Sequence, residues 1–213
     1  MAFHIFDGVF IGFGIRASVT GLGNTAYFTS DAVYGSFDNP GFYAVDGETN
    51  VTVAGEVFGA TSGITVSNFQ YGGNSVTVLE GGLVTGRDFA IYAAGAASSV
   101  LNYGQITSNV YAAVSIESNY GRVTNYGDIR GATAGVFARS QVNDPVVAVR
   151  LLNYGTITGT QSYLGDFVND DNVQNYGTLT GHVELRGGNN TLVNRGLVVG
   201  VVSGNDGLDR IDN

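Results

Sequence analysis

Five times the sequence places Asn, one residue, Gly, one residue and then an aliphatic: LNYGQITS from Leu101, TNYGDIRG from Thr124, LNYGTITG from Leu152, QNYGTLTG from Gln174 and VNRGLVVG from Val193. The asparagines, Asn102, Asn125, Asn153, Asn175 and Asn194, are separated by 23, 28, 22 and 19 residues. A motif that returns near every twenty residues, with variable insertions between copies, predicts a solenoid.

The periodicity extends beyond the motif. An aliphatic stands two residues before each Asn (Val100, Val123, Leu151, Val173, Leu192) and another four residues after it (Ile106, Ile129, Ile157, Leu179, Val198). Upstream the template fits Val78, Gly82 and Val84 with Glu80 in the Asn position, and Val51, Gly55 and Val57 with Val53 in it. A further short strand is expected after the Gly in most coils, through Ile64, Ile91, Val114 and Val136. Each coil then holds about three short strands whose side chains alternate inward and outward.

One such coil cannot bury its own aliphatics. Coils stacked about 4.8 Å apart set each Val or Ile over its equivalent and pair every strand with its neighbours. The expected fold is therefore all-β, a right-handed parallel β-helix of about seven coils. Asn suits a corner because its amide can bond along the stack and because it tolerates left-handed backbone angles; the Gly allows the chain to bend. A helical fold is excluded, since no window sustains a 3.6 period and 33 of 213 residues are Gly. A β-sandwich is the remaining alternative, but it gives no reason for the constant offset of Asn and Gly.

Residues 1–47 do not fit the template. They are rich in Phe and Tyr and carry the turn signal Asp38-Asn39-Pro40-Gly41. An open solenoid end exposes core and unpaired strand edges, so this segment is expected to be an aromatic-rich N-terminal cap merging into the first coil. Residues 48–203 form the β-helix, and 204–213 a separate turn or the start of a further module. The last coil, Leu192 to Val202, has no equivalent cap, which makes it a candidate surface for self-association.

Composition narrows the partners. Nine basic residues, all Arg, face 18 acidic ones, for a net charge of −9. Such a surface disfavours nucleic acid and anionic membranes. No apolar run approaches the ~18 residues of a membrane-spanning helix, so no membrane insertion is expected. There is no Cys, so neither disulfides nor thiol chemistry enter. The N-terminus lacks the basic start and small-residue cleavage site of a signal peptide.

The Asn-x-Gly-x-Ile-x-Gly run, over about Asn50 to Ser203, resembles the repeats of bacterial autotransporter-type adhesin passengers and large repetitive secreted proteins. The resemblance implies a β-helix serving adhesion or surface scaffolding, outside the cell or on its surface. Gly204-Asn205-Asp206-Gly207-Leu208-Asp209-Arg210-Ile211-Asp212 resembles one nonapeptide of the repeats-in-toxin family, with Asn205 in place of the second Gly; Leu185 to Leu192 is a poorer echo. That resemblance implies calcium, with Gly204, Asn205, Asp206, Gly207 and Asp209 as site residues, and type I export without an N-terminal signal. One nonapeptide offers fewer than the six to eight oxygens calcium takes, and a polar turn is the plainer reading.

The candidate ligand-binding residues are Tyr103, Tyr126, Tyr154 and Tyr176, one per consecutive coil between Asn and Gly, with Gly81 before them and Arg195 after. Strand alternation turns them outward as a stack. Aromatic rings with hydroxyl tips suit a polysaccharide or a surface protein, although stacked tyrosines also stabilise one another. A polysaccharide-acting enzyme, pectate-lyase-like, is the alternative function, because such enzymes share this fold. Its residues are scarce: His4 and His182 stand apart, and Asn143-Asp144-Pro145-Val146 resembles the Asp-Pro-His-Glu signature of alginate epimerases but has Val146 and Val147 where His and Glu are needed. Asp166, Asp170 and Asp171 match no calcium-loop spacing and read as a solvated loop. The outward Thr-x-Thr pairs Thr156/Thr158 and Thr178/Thr180 resemble β-helical ice-binding arrays, but only two rungs long. No catalytic residue is assigned.

Overall fold

The computed structural model describes residues 3–68, 72–140 and 149–213, with the side chains of 16–22 and 46 excepted. Every paired strand runs parallel to its partners, and the chain winds as a β-solenoid of about eight turns. Three columns of strands make its walls. The first carries Ser99–Asn102, Gly121–Asn125, Val149–Asn153, Asn172–Asn175 and Thr191–Asn194 in successive coils. Across the Asn-x-Gly corner the second carries Gln105–Ser108 and Asp128–Gly131. The third carries Phe89–Ala94, Ala112–Glu117 and Ala134–Arg139.

The core is a set of ladders. Val76, Val100, Val123, Leu151, Val173 and Leu192 stack in register on the first wall, and Val84, Ile106, Ile129, Ile157 and Leu179 on the second, all essentially inaccessible. The third column carries Ile64, Ile91, Val114, Val136, Tyr163 and Val183. β-Branched residues suit these positions because they fill the pleat in one rotamer.

Residues 3–47, expected as a cap, already run in coil register: Phe3–Phe6 pairs with the strand ending at Phe28, Val9–Gly12 with Val33–Ser36, and Ile15 with Phe42. Their aromatics fill the first coils, with Phe6 stacked 4.7 Å from Phe28 and Phe42 edge-on to Phe28 at 5.6 Å.

Three expectations are corrected by the register. Val78, not Glu80, aligns with Asn102, because the corner Leu79 to Gly82 is two residues longer than Tyr103-Gly104 and carries Glu80 outward. Leu79, not Gly81, consequently precedes the tyrosines: its N–H bonds Val53 as that of Tyr103 bonds Val78. The ladder asparagines are not left-handed; among the described residues only Ala97 and Arg186 combine a Cβ with positive φ. The following Gly is required by close approach, since a Cβ on Gly127 would lie 2.2 Å from the carbonyl oxygen of Gly104. Among the described residues no helix is long and apolar enough to cross a membrane.

Candidate functional site

Because Asn102, Asn125, Asn153 and Asn175 point into the core, the residue after each must face solvent. Their amides fix that corner. Asn102 Nδ2 donates to Asn125 Oδ1 at 2.8 Å, Asn125 to Asn153 at 2.9 Å, Asn153 to Asn175 at 2.8 Å and Asn175 to Asn194 at 2.7 Å. Each of these Nδ2 groups also reaches the carbonyl of its own coil's Gly and a carbonyl of the next coil, and Asn102 Oδ1 accepts the Gly104 N–H. Fully satisfied buried amides hold their neighbours to one geometry.

The tyrosines inherit that repeat. Tyr103, Tyr126, Tyr154 and Tyr176 stack at centroid distances of 5.0, 4.9 and 5.0 Å with interplanar angles of 6, 5 and 8°. Each is 45–48% exposed. Within the stack the ring faces cover one another, so solvent sees ring edges and a row of hydroxyls, none of which makes a hydrogen bond among the described residues. Beside this row lies a shallow depression of about 350 Å³ lined by Ser99, Leu101, Tyr103, Arg122, Thr124 and Tyr126. A depression of about 330 Å³ at Phe13, Ile15, Pro40 and Tyr43 lies far along the stack in the first coils and has no link to the row.

The acidic loop at Asp166 and the nonapeptide occupy the same corner two coils apart, with Gly187 to Asn190 in the coil between them. Asp171 N–H donates to Asn190 Oδ1 at 2.8 Å, and Asn190 N–H to Asp209 Oδ1 at 2.9 Å. Asn189 N–H bonds Asp170 Oδ1, and Leu208 N–H bonds Asn189 Oδ1. The same column begins upstream, where Thr49 N–H bonds Asn74 Oδ1 and Asn74 N–H bonds Ser98 Oγ. Sequence reasoning missed this second ladder because, although its positions lie four residues before the first-ladder position of each coil, no residue type repeats there: Thr49, Asn74, Ser98, Gly121, Val149, Asp171, Asn190 and Asp209 follow one another; the echo of the nonapeptide at Gly187 to Asn190 was its only trace. Gly204, Asn205 and Gly207 shape the last turn, with Asn205 N–H on the Arg186 carbonyl and Gly207, φ +116°, pressed against Gly188. Asp209 gives Oδ1 to Asn190, so calcium would find Asp209 Oδ2, the exposed Asp206 and turn carbonyls, which is half a coordination shell.

One carboxyl of this column is buried. Asp171 is 2% exposed; among the described residues neither its Oδ2 nor the hydroxyl of the fully buried Tyr163 makes a hydrogen bond of good geometry, and the two groups interact with each other. Burial pushes the Asp171 pKa up to about 7, aided by the charges of Asp166 and Asp170, and raises Tyr163 well above the ordinary tyrosine value.

The remaining candidates do not converge. His182 Nδ1 accepts the Val201 N–H, and His4 lies 6.3 Å from Phe6 in the first coil. Glu117 accepts the Tyr92 hydroxyl at 2.8 Å, and Asp128 holds Arg130 at 2.6 Å. The Thr pairs lie in register on two rungs, flanked by Asp128/Arg130 and Leu197/Val199. Asn143 to Val147 lie outside the described residues. Among the described residues no group of three His, Cys, Asp or Glu could hold a metal ion. Comparison with family models, curated proteins and solved structures finds no match to this chain in any of the three.

Proposed function

We propose that this solenoid is a binding or structural module of a secreted or cell-surface protein, adhesin-like in role, and that it presents the tyrosine row to a linear ligand. The observation that carries the reading is the row itself: four ring edges at the coil repeat whose hydroxyls make no hydrogen bond among the described residues, with an open groove beside Tyr103 and Tyr126. A polymer with its own regular repeat can touch each rung in the same way, so weak contacts add along the axis. A polysaccharide fits this pattern, since sugar hydroxyls pair with phenols while C–H faces lie on ring edges and on Leu101.

The stack also stabilises the fold, by about 0.5–1.5 kcal/mol per aromatic pair. The two roles separate experimentally. Replacing Tyr126 and Tyr154 together by Ala is expected to weaken binding to a glycan identified by array screening by about tenfold or more, with the β-type circular-dichroism spectrum retained. A wild type that binds no glycan on the array, or a double variant that binds as well as wild type, would overturn the reading.

A further inference from the structure

Of the nine arginines, Arg130, Arg139, Arg186 and Arg195 pair with Asp128, Glu117, Glu184 and Asp212. Arg122 and Arg150 do not. They face each other in register on adjacent coils of the first wall, both exposed, and neither makes an ion pair, hydrogen bond or ring contact among the described residues. Two like charges one rung apart repel, and in a chain with twice as many acids as bases a carboxylate on a neighbouring rung would relieve them. The wall instead offers Ser99 on one side and Asn172 on the other in the same column, and Leu101, Thr124, Leu152 and Gln174 in the next. An uncompensated cationic pair is thus held beside the groove, facing the tyrosine row across a strip roughly 13 Å wide, four residues of extended strand.

We infer that Arg122 and Arg150, together with the hydroxyl row of Tyr103, Tyr126 and Tyr154, bind a linear acidic polysaccharide lying along the solenoid axis. This rests on the reading above and specifies its ligand as one bearing carboxylate or sulfate on successive units. Guanidinium groups fork onto such anions with paired hydrogen bonds. The rung spacing of about 4.8 Å is close to the step between sugars in an extended 1,4-linked chain, so neighbouring arginines meet neighbouring anionic units. The tyrosines supply donors and acceptors to ring hydroxyls. A nucleic acid fits less well, because its bases need open aromatic faces, which this stack covers with one another.

The experiment measures binding of the whole chain to polygalacturonate and dextran sulfate, each beside its uncharged counterpart, methyl-esterified polygalacturonate and dextran, with a single-stranded oligothymidine as a further arm. Wild type is expected to bind at least one acidic polymer about tenfold or more tighter than its neutral form, with affinity falling as salt rises. The pair Arg122→Gln with Arg150→Gln should abolish that preference. Arg87→Gln with Arg139→Gln, an equal change of net charge on other parts of the surface, should preserve it, and circular dichroism checks the fold of both. Which acidic polymer binds tells carboxylate from sulfate. Equal binding of charged and neutral polymers that the tyrosine variant loses would overturn the acidic-ligand inference while keeping the tyrosine reading. Absence of binding to either acidic polymer, or tighter binding of the oligothymidine, would also overturn it.

Discussion

Asp171 stands in a corner column where other coils carry Asn74, Ser98 and Asn190, and a carboxyl there has one acceptor more than the ladder uses. Protonated, its second oxygen can donate toward Tyr163; ionised, it is a buried charge with no ion pair among the described residues. The sign of the linkage follows. With a folded pKa raised from 3.8 to about 7, the native state holds this proton more tightly than the unfolded chain. Stability from Asp171 is therefore greatest below pH 4, declines as pH rises through about 7 and is flat above it, a change on the order of a few kcal/mol. Asp171→Asn should flatten this part of the stability–pH curve and make the protein more stable than wild type at pH 8, measured by denaturant unfolding across pH. An unchanged slope would show that the carboxyl is not buried as described.

At the scale of the strand and corner, each rung is tied to its neighbours by shape. Ile129 lies between Ile106 and Ile157 in a ladder without solvent access, so Ile129→Asp inserts an unpaired charge and should cost several kcal/mol, read as a large fall in the thermal midpoint. An unchanged midpoint would contradict the register. The calcium proposal has its test at the last corner: millimolar calcium should raise the midpoint over chelator, magnesium less, and Asp206→Ala should remove the gain. Equal midpoints would leave 204–212 as a hydrogen-bonded corner alone. The first ladder and the tyrosine row were legible in the sequence because one tripeptide, Asn-Tyr-Gly in four coils and Asn-Arg-Gly in the fifth, supplies the inward amide and, in the four, the outward ring. The Asx column was not, because a backbone N–H donates equally well to an Asn, Ser or Asp oxygen, so no single residue type marks the position. Glu80 was misplaced because a corner can lengthen by two residues without moving the strands. Arg122 and Arg150 each stand three residues before their ladder Asn, so their register follows from the repeat; what the sequence does not show is that neither finds a carboxylate among the described residues.

Over the whole molecule, one column changes character along its length: Phe6, Phe28, Val53 and Val78, then Asn102, Asn125, Asn153, Asn175, Asn194 and Asn213. An amide in the lower part has an amide above and below it; in the upper part it would meet only hydrocarbon. Repeating residues 154–175 directly after Asn175 should therefore give a longer, cooperatively folding protein with an undiminished thermal midpoint. Inserting the same segment after Val53 sets its Asn between two valines and should lower the midpoint sharply, the unpaired amide costing about 1–3 kcal/mol before any strain is added. Similar losses at both sites would mean that the column does not discriminate. Coils from Asn102 onward are thus interchangeable parts, open to duplication or loss, whereas those before Val78 belong to another series and cannot be exchanged with them. A lineage of such chains would be free to change length at one end only.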